Sequence, residues 1–230
     1  MTELHLPLWR RLAAEFLGTG LLVAIVVGSG IAAQRLSPGD TGLQLLENSV
    51  ATTLGLAVLI FMLAPVSGAH FNPVVTIADR IIGGGGTPPA AYIPVQMIGA
   101  IGGALLANAM FGLPPQISTT DRVSPGQLLA EVVATAILIV LIFSLARTGR
   151  SALAAPMVAA YVGAAYWFTS STAFINPAVT VGRIFSDTFA GIAPGSAVPF
   201  LAAQLVGAAV GIGLLAVLFP RTNNTLKGTP

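Results

Sequence analysis

Six apolar stretches, each long enough to cross a bilayer, run through this chain of 230 residues. They fall at residues 12–33, 48–66, 90–111, 127–146, 152–169 and 198–219. A hydrocarbon core about 30 Å thick is crossed by about 20 apolar residues in a helix, since lipid offers the backbone no hydrogen-bond partner. Only 8% of the residues are charged, whereas a soluble domain has about 25%. We therefore predict an all-α membrane protein with six transmembrane helices.

The charged residues predict how these helices are oriented. The basic residues at one end of the predicted spans are Arg10, Arg11, Arg147, Arg150, Arg221 and Lys227. The connections at the other end have no basic excess, because an aspartate accompanies each arginine, as in Asp121-Arg122. Basic residues concentrate on the cytoplasmic side of a membrane, so we expect a multi-pass protein of the inner cell membrane with both termini in the cytoplasm. The formal charge of +2 and the scattered basic residues argue against a nucleic-acid partner.

The sequence is internally duplicated. Residues 71–77, Phe-Asn-Pro-Val-Val-Thr-Ile, match residues 175–181, Ile-Asn-Pro-Ala-Val-Thr-Val. Two further matches follow the same order along the chain: Ala14-Glu15 with Ala130-Glu131, and residues 96–100 with residues 204–208. We assign repeat one to about 10–111 and repeat two to about 126–219, within a single transmembrane domain of residues 1–230. Because each repeat contains three spans, an odd number, the second repeat is inverted relative to the first.

Two segments that begin with Asn-Pro are too short to cross the bilayer. They start at the boxes Asn72-Pro73-Val74 and Asn176-Pro177-Ala178. Asparagine is a good N-cap, and proline is tolerated at the first helical position because that N–H has no intrahelical partner. The small and polar residues just before each box suit non-helical backbone, which at membrane depth must line protein or water. We predict two re-entrant half-helices that meet near the midplane.

With this pattern the chain resembles the aquaporin and glycerol-facilitator family, the major intrinsic proteins, from about Ala14 to Phe219. The resemblance implies a passive channel for small neutral solutes, assembled as a homotetramer in the lipid bilayer. The positive ends of the half-helix dipoles oppose cations. The Asn72 and Asn176 amides are expected to donate hydrogen bonds to passing solutes as well as to cap their helices, with capping alone as the alternative.

The resemblance also suggests roles for residues around the boxes. His70, Phe71, Phe174 and Ile175 are expected to line the pore. The ionisable groups inside two spans, Glu15 and Glu131, are expected to accept hydrogen bonds from the backbone before each half-helix. A proton relay is the alternative, because an ionisable group inside a membrane is costly and therefore a functional candidate by default.

The chain departs from the family at the selectivity filter. Most members have arginine directly after the second box, where this chain has Val179, and the change removes a positive charge and five donors. By spacing, the other filter residues are expected to be Ala173, Ala164 or a neighbour, and Thr52 or Leu54. These residues predict a wide, mostly apolar filter for glycerol-sized molecules, arsenous acid and methylated arsenicals. With Thr180 where glycerol facilitators carry aspartate, the pattern is most similar to an atypical bacterial branch associated with arsenical permeation.

Several alternatives remain open from the sequence. Arg183 lies one helical turn after Val179 and compensates for the missing arginine if it reaches the pore, but the matching Arg80 favours a residue that snorkels to the interface. A water-selective channel is the second interpretation, and a coupled transporter, which also uses inverted repeats, is the third. With no cysteine, no metal-ligand spacing and no nucleophile paired with a base, we predict neither an enzyme nor a cofactor.

Overall fold

The computed structural model describes residues 6–83 and 88–220. Its long helices are α1 (Leu8–Leu36), α2 (Thr41–Ser67), α4 (Pro89–Met110), α5 (Pro125–Arg147), α6 (Ala154–Phe168) and α8 (Pro194–Leu218), and a 3₁₀ turn, Ser151–Leu153, leads into α6. The short helices are α3 (Pro73–Ile82) and α7 (Pro177–Arg183). Within these two ranges, six helices, with the turn counted as part of α6, are long and apolar enough to cross a membrane. The prediction of six spans and two half-helices is confirmed.

The helices extend beyond the apolar stretches that predicted them. Helix α2 begins seven residues before the predicted residue 48, because the Asp40 carboxylate accepts the Leu43 N–H at 2.9 Å and caps the first turn. This polar turn has little hydropathy, so the apolar pattern alone does not detect it. Arg221 and Lys227, which contributed to the predicted orientation, lie outside the described residues.

The two halves of the chain pack in the same way. Helix α1 packs on α4 and α2 in the first half, as α5 packs on α8 and α6 in the second, and α2 also contacts α6 across the halves. The terminal side is the side of the membrane where α1 begins and α8 ends. The loop side is the opposite side, where residues 111–124 join α4 to α5. Helix α3 runs toward the terminal side and α7 toward the loop side, and the two half-helices touch.

Glycines allow close contacts between helices in both halves. A Cβ placed on Gly103 of α4 would lie 2.0 Å from the carbonyl oxygen of Gly20 in α1. In the second half, a Cβ on Gly207 of α8 would lie 2.5 Å from the Val132 oxygen of α5. Small residues at such positions let helix backbones approach each other. A Cβ placed on the neighbouring Gly102 would have no atom within 4 Å, so this glycine faces away from the contact.

Gly103→Ala is expected to lower the stability of the protein by about 1–3 kcal/mol, the usual cost of overpacking. Gly102→Ala is the matched control, because both substitutions bring the same gain in helix propensity and only Gly103 meets the Gly20 carbonyl. The measurement is the thermal unfolding midpoint of purified protein in detergent. Equal midpoints for the two variants would show that α1 and α4 can move apart without loss of thermal stability.

Candidate functional site: the junction of the half-helices

The half-helices are joined by their capping asparagines. The Asn72 side-chain oxygen accepts the Val74 N–H at 3.0 Å, and the Asn176 oxygen accepts the Ala178 N–H at 2.9 Å. The amides cross the junction: Asn72 Nδ2 donates to the Ile175 carbonyl at 2.9 Å, and Asn176 Nδ2 donates to the Phe71 carbonyl at 2.7 Å.

These crossing bonds correct one part of the expectation for Asn72 and Asn176. Their amides are not wholly free for solute, because one N–H of each amide holds the partner half-helix. An asparagine amide has two N–H donors, and both residues line the cavity described below. One N–H of each side chain therefore takes no part in the crossing bonds.

The backbone that leads into each box adopts a strained conformation. Ala69 and Phe71 have φ angles of 51° and 49°, and the corresponding Ala173 and Ile175 have 50° and 46°. Residues other than glycine rarely adopt this left-handed region, which costs of order 1–3 kcal/mol each and persists only where surrounding contacts hold it. The repetition of the strain at both boxes indicates a shared requirement of the site.

Glu15 holds the first of these segments. Its carboxylate is fully buried and accepts the backbone N–H groups of His70 at 3.0 Å and Phe71 at 2.8 Å. It also accepts the Ser67 hydroxyl at 2.6 Å and the Gln96 amide at 2.7 Å. A buried carboxylate needs such donors to offset its lost hydration. With four donors on two oxygens, the geometry favours support of the backbone over a proton relay.

Glu131 holds the second segment in the same way. It is also fully buried, and it accepts the N–H groups of Phe174 at 2.9 Å and Ile175 at 2.8 Å. Gln204 donates to it at 2.8 Å. The two glutamates thus bind equivalent backbone groups on opposite sides of the junction.

A cavity of about 230 Å³ passes the junction. Its apolar lining comes from residues spaced four apart on the long helices, so that each helix presents one stripe. The stripes on α2 and α6 are Thr52, Leu56 and Ile60, and Val158, Val162 and Tyr166. Leu22 and Val26 of α1 and Leu138 and Ile142 of α5 complete them. The predicted lining residues His70, Phe71, Phe174 and Ile175 all border this cavity.

The structure corrects two of the predicted filter residues. Leu54 is 64% exposed on the outside of the chain, and Ala164 is also exposed. Two residues along a helix correspond to a rotation of about 200°, so these positions face away from the cavity that Thr52 and Tyr166 line. The Tyr166 hydroxyl lies 3.1 Å from the Thr52 hydroxyl. Sequence reasoning missed Tyr166, although the spacing of Val158, Val162 and Tyr166 would have revealed the stripe.

The remaining filter candidates are Ala173, in the strained segment, and Val179, in α7. Ala173 and Val179 both line the cavity and are each 5% exposed. Val74, the residue that replaces alanine in the first box, is fully buried in the protein core and does not border the cavity. Its departure from the family pattern therefore changes packing and leaves the lining unaltered.

Arg183 does not snorkel to the interface. It is 3% exposed and lines the cavity, whereas Arg80 is exposed at the protein surface. Arg183 is the seventh residue after Asn176 and Arg80 is the eighth after Asn72, and this one-residue difference turns the side chain by about 100°. The true counterpart of Arg183 is Asp79, which lines the same cavity toward the terminal side.

The segment between α4 and α5 covers the loop side of the site. Arg122 in this segment donates from Nε to the Gly191 carbonyl at 2.7 Å and from Nη2 to the Phe189 carbonyl at 2.8 Å. Burial lowers the pKa of Arg122 below its ordinary value, but a guanidinium stays protonated in proteins. The guanidinium carbons of Arg122 and Arg183 lie 5.5 and 3.4 Å from the centre of the same Phe174 ring. The sequence contained no signal of this proximity, because helices α5 and α6 and their connections separate the two arginines along the chain.

A cavity that passes the junction of two inverted half-helices, inside six spanning helices, is the architecture of a membrane channel. The sequence profile of the family described as "Major intrinsic protein" matches residues 3–172 and 167–229, and the chain belongs to this family. Members of the family are passive channels for small neutral solutes, so the chain is a multi-pass membrane channel and not an enzyme.

Two relatives align with at least nine-tenths of the chain. It is 45% identical to the protein named Aquaglyceroporin AqpS of Rhizobium meliloti over 96% of this chain and 95% of the relative. It is 31% identical to the Glycerol uptake facilitator protein of Pseudomonas aeruginosa over 90% of this chain and 88% of the relative. The X-ray structure of the aquaglyceroporin from Plasmodium falciparum superposes with a TM-score of 0.64 at 21% identity, covering 90% of this chain and 95% of that one. This last likeness concerns the fold alone.

Proposed function

We propose that the chain conducts water, glycerol-like polyols and undissociated metalloid hydroxides such as arsenous acid or methylated arsenicals. The observation that carries the proposal is Val179, which lines the cavity with a short apolar side chain at the position where most of the family has arginine. The names of the two relatives above, an aquaglyceroporin and a glycerol uptake facilitator, support a solute of glycerol size.

The polar groups of the cavity suit a neutral hydroxylated solute. The free N–H groups of Asn72 and Asn176 offer donors at the junction, and the hydroxyls of Thr52 and Tyr166 offer further partners toward the loop side. The apolar residues of the stripes give an ion nothing in place of its hydration shell. A neutral solute exchanges one hydrogen bond for another, whereas an ion meets a barrier.

Stopped-flow light scattering of proteoliposomes tests the proposal. Purified protein is reconstituted, and the rates of volume change are compared for water, glycerol and arsenous acid against empty vesicles. We expect entry of glycerol and arsenous acid to be faster than into empty vesicles and to rise linearly with the gradient. Saturation at low concentration, or uphill accumulation, would indicate a carrier.

Water selectivity is the second candidate, and two side chains favour it. Tyr166 and Arg183 both reach the cavity on the loop side. Their bulk narrows the passage beside Val179, and their N–H and O–H groups can bind water there. In the same proteoliposomes, fast water flux together with glycerol entry at the rate of empty vesicles would select this candidate and leave the channel architecture unchanged.

Tyr166→Ala is expected to raise the permeability of polyols larger than glycerol about tenfold, because removing a ring that lines the filter lowers the barrier by about 1.4 kcal/mol. The matched control is Ala164→Val on the same helix, which enlarges an exposed side chain and should leave permeability unchanged. Erythritol entry, measured by light scattering, is the readout. A large effect of Ala164→Val with none of Tyr166→Ala would restore the filter position expected from sequence spacing.

We also propose that the terminal side faces the cytoplasm of an inner cell membrane. Arg10, Arg11, Arg147 and Arg150 lie on this side, in agreement with the positive-inside rule. The chain has no cysteine, so a single cysteine at Arg150 can be labelled with an impermeant maleimide. Labelling only after the membrane is opened is the expected result.

We propose that the protein assembles as a homotetramer. The outside of α2 carries large exposed apolar side chains, among them Leu54, Val58 and Phe61 at 64%, 62% and 80% exposure, and such surfaces suit either lipid or another subunit. Light scattering coupled to size exclusion in detergent measures the mass. A single-subunit mass would contradict the proposal.

A further inference from the structure

A second cavity opens on the loop side next to the channel cavity. It measures about 470 Å³ and is lined largely by polar side chains, including Gln34, Thr41, Asn48, Thr120 and Arg122. Arg183 borders both cavities. We call this second cavity the vestibule, and any solute that approaches the channel cavity from it passes Arg183.

Two arginines that lack a carboxylate partner face the vestibule. Arg183 donates from Nε to the Ala190 carbonyl, and its guanidinium carbon lies 3.4 Å from the centre of the Phe174 ring. The Arg122 guanidinium lies 5.5 Å from the same ring centre and donates to carbonyl oxygens. Within the described ranges 6–83 and 88–220, neither arginine forms an ion pair, and the terminal nitrogens of Arg183 have no hydrogen-bond partner.

The nearby carboxylates do not neutralise this charge directly. Asp187 borders the vestibule, but it accepts the Thr119 N–H at 2.8 Å, the Thr119 hydroxyl at 3.2 Å and the Ser118 hydroxyl at 3.4 Å. Asp121 accepts the Ser196 hydroxyl and the Val123 N–H at 3.3 Å, and it does not border the vestibule. Two guanidinium groups against one occupied carboxylate leave the vestibule positive.

An anion in the vestibule is not stabilised further along the channel cavity. Beyond Arg183 the lining consists mainly of the apolar stripes, and toward the terminal side it includes the carboxylate of Asp79. Apolar walls do not replace the hydration of an ion, and Asp79 repels a negative charge. An anion is therefore expected to stop at the two arginines.

We propose that Arg122 and Arg183 form a binding site for small oxyanions in the vestibule, and that an oxyanion bound there slows the entry of neutral solutes. Oxyanions match guanidinium groups because several N–H donors can meet several oxygens at once. Gln34 and Thr120 border the same space and supply neutral donors, since Gln34 uses only its side-chain oxygen, which accepts the Phe189 N–H at 2.9 Å. The slowing rests on the proposed conduction of glycerol, whereas the binding does not.

Calorimetric titration of purified protein with inorganic phosphate, at constant ionic strength set with chloride, tests the binding. We expect phosphate binding that Arg122→Gln weakens about tenfold, as for loss of a hydrogen bond between charged groups. Asp187→Asn should strengthen binding about threefold by removing a nearby negative charge, a gain that misfolding cannot imitate. Arg35→Gln is the matched control, because Arg35 is an exposed arginine of the loop side outside the vestibule.

Glycerol entry into proteoliposomes, with external phosphate replacing chloride, tests the slowing. We expect phosphate to slow wild-type entry and to slow Arg122→Gln much less. Absence of phosphate binding, or equal binding by all four proteins, would overturn the site. Binding without any slowing would overturn the block, and a protein that binds phosphate but conducts no glycerol would contradict the proposed function while supporting the site.

Discussion

Val179→Arg is expected to lower the proposed glycerol permeability about tenfold or more, since each ~1.4 kcal/mol added to the barrier slows passage by a factor of ten. The side chain at position 179 lines the cavity and is 5% exposed, so an arginine there must enter the passage. Arg183 lies four residues later on the same helix face, where neighbours are about 5–6 Å apart. A second unpaired guanidinium would therefore narrow the passage and increase the positive charge that repels cations.

The measurement is glycerol and water entry into proteoliposomes that contain equal amounts of each protein. Val179→Leu is the control, because it adds bulk without charge and should reduce glycerol entry far less. Water flux should fall less than glycerol flux in Val179→Arg, since water needs a narrower opening. If glycerol entry were unaffected by arginine at position 179, the filter would lie elsewhere in the cavity.

Glu131→Ala is expected to destabilise the protein by about 3–5 kcal/mol, because each buried donor left without its acceptor costs about 1–3 kcal/mol. The N–H groups of Phe174 and Ile175 and the Gln204 amide all donate to this carboxylate. Without it, the two backbone N–H groups are buried and unpaired, and the Gln204 amide keeps only its bond to the Thr180 hydroxyl. The left-handed backbone of Ile175, with a φ of 46°, loses its support. Glu15→Ala should have an effect of similar size.

The thermal unfolding midpoint in detergent is the readout for Glu131→Ala. Leu129→Ala on the same helix is the control, because Leu129 is 63% exposed and its loss should change stability little. Glu131→Gln should fall between the two, since a glutamine keeps one accepting oxygen but adds an amide that faces other donors. A stable Glu131→Ala variant would mean that contacts across the junction hold the strained backbone alone.

The boxes and the buried glutamates could be predicted because their signals are local or repeated. Asn72 and Asn176 begin helices through their own cap chemistry, and the duplication places Glu15 and Glu131 at matching points. The crossing bonds could not be predicted in this way. The Asn72 amide reaches the Ile175 carbonyl only because the two half-helices meet end to end, and no pattern within either repeat specifies that distance.

The filter shows where spacing along the sequence is insufficient. Counting residues back from Asn176 suggested Ala164, but a helix turns by about 100° per residue, and an error of two residues exchanges the inner and outer faces. Tyr166 lies inside and Ala164 outside for this reason. For Arg183 the information was present in the sequence, since its counterpart by position is Asp79 and not Arg80.

The sequence by itself determined the six spans, the two half-helices and the class of channel, because hydropathy over about 20 residues, cap chemistry and an inverted duplication are properties of the chain alone. The tertiary structure decided which side chains face the cavity: Thr52 and Tyr166 instead of Leu54 and Ala164. It also brought Arg122 and Arg183 together at the vestibule. The physical reason is that the direction in which a side chain points depends on the rotation of its helix and on contacts between distant segments. A local sequence pattern specifies neither.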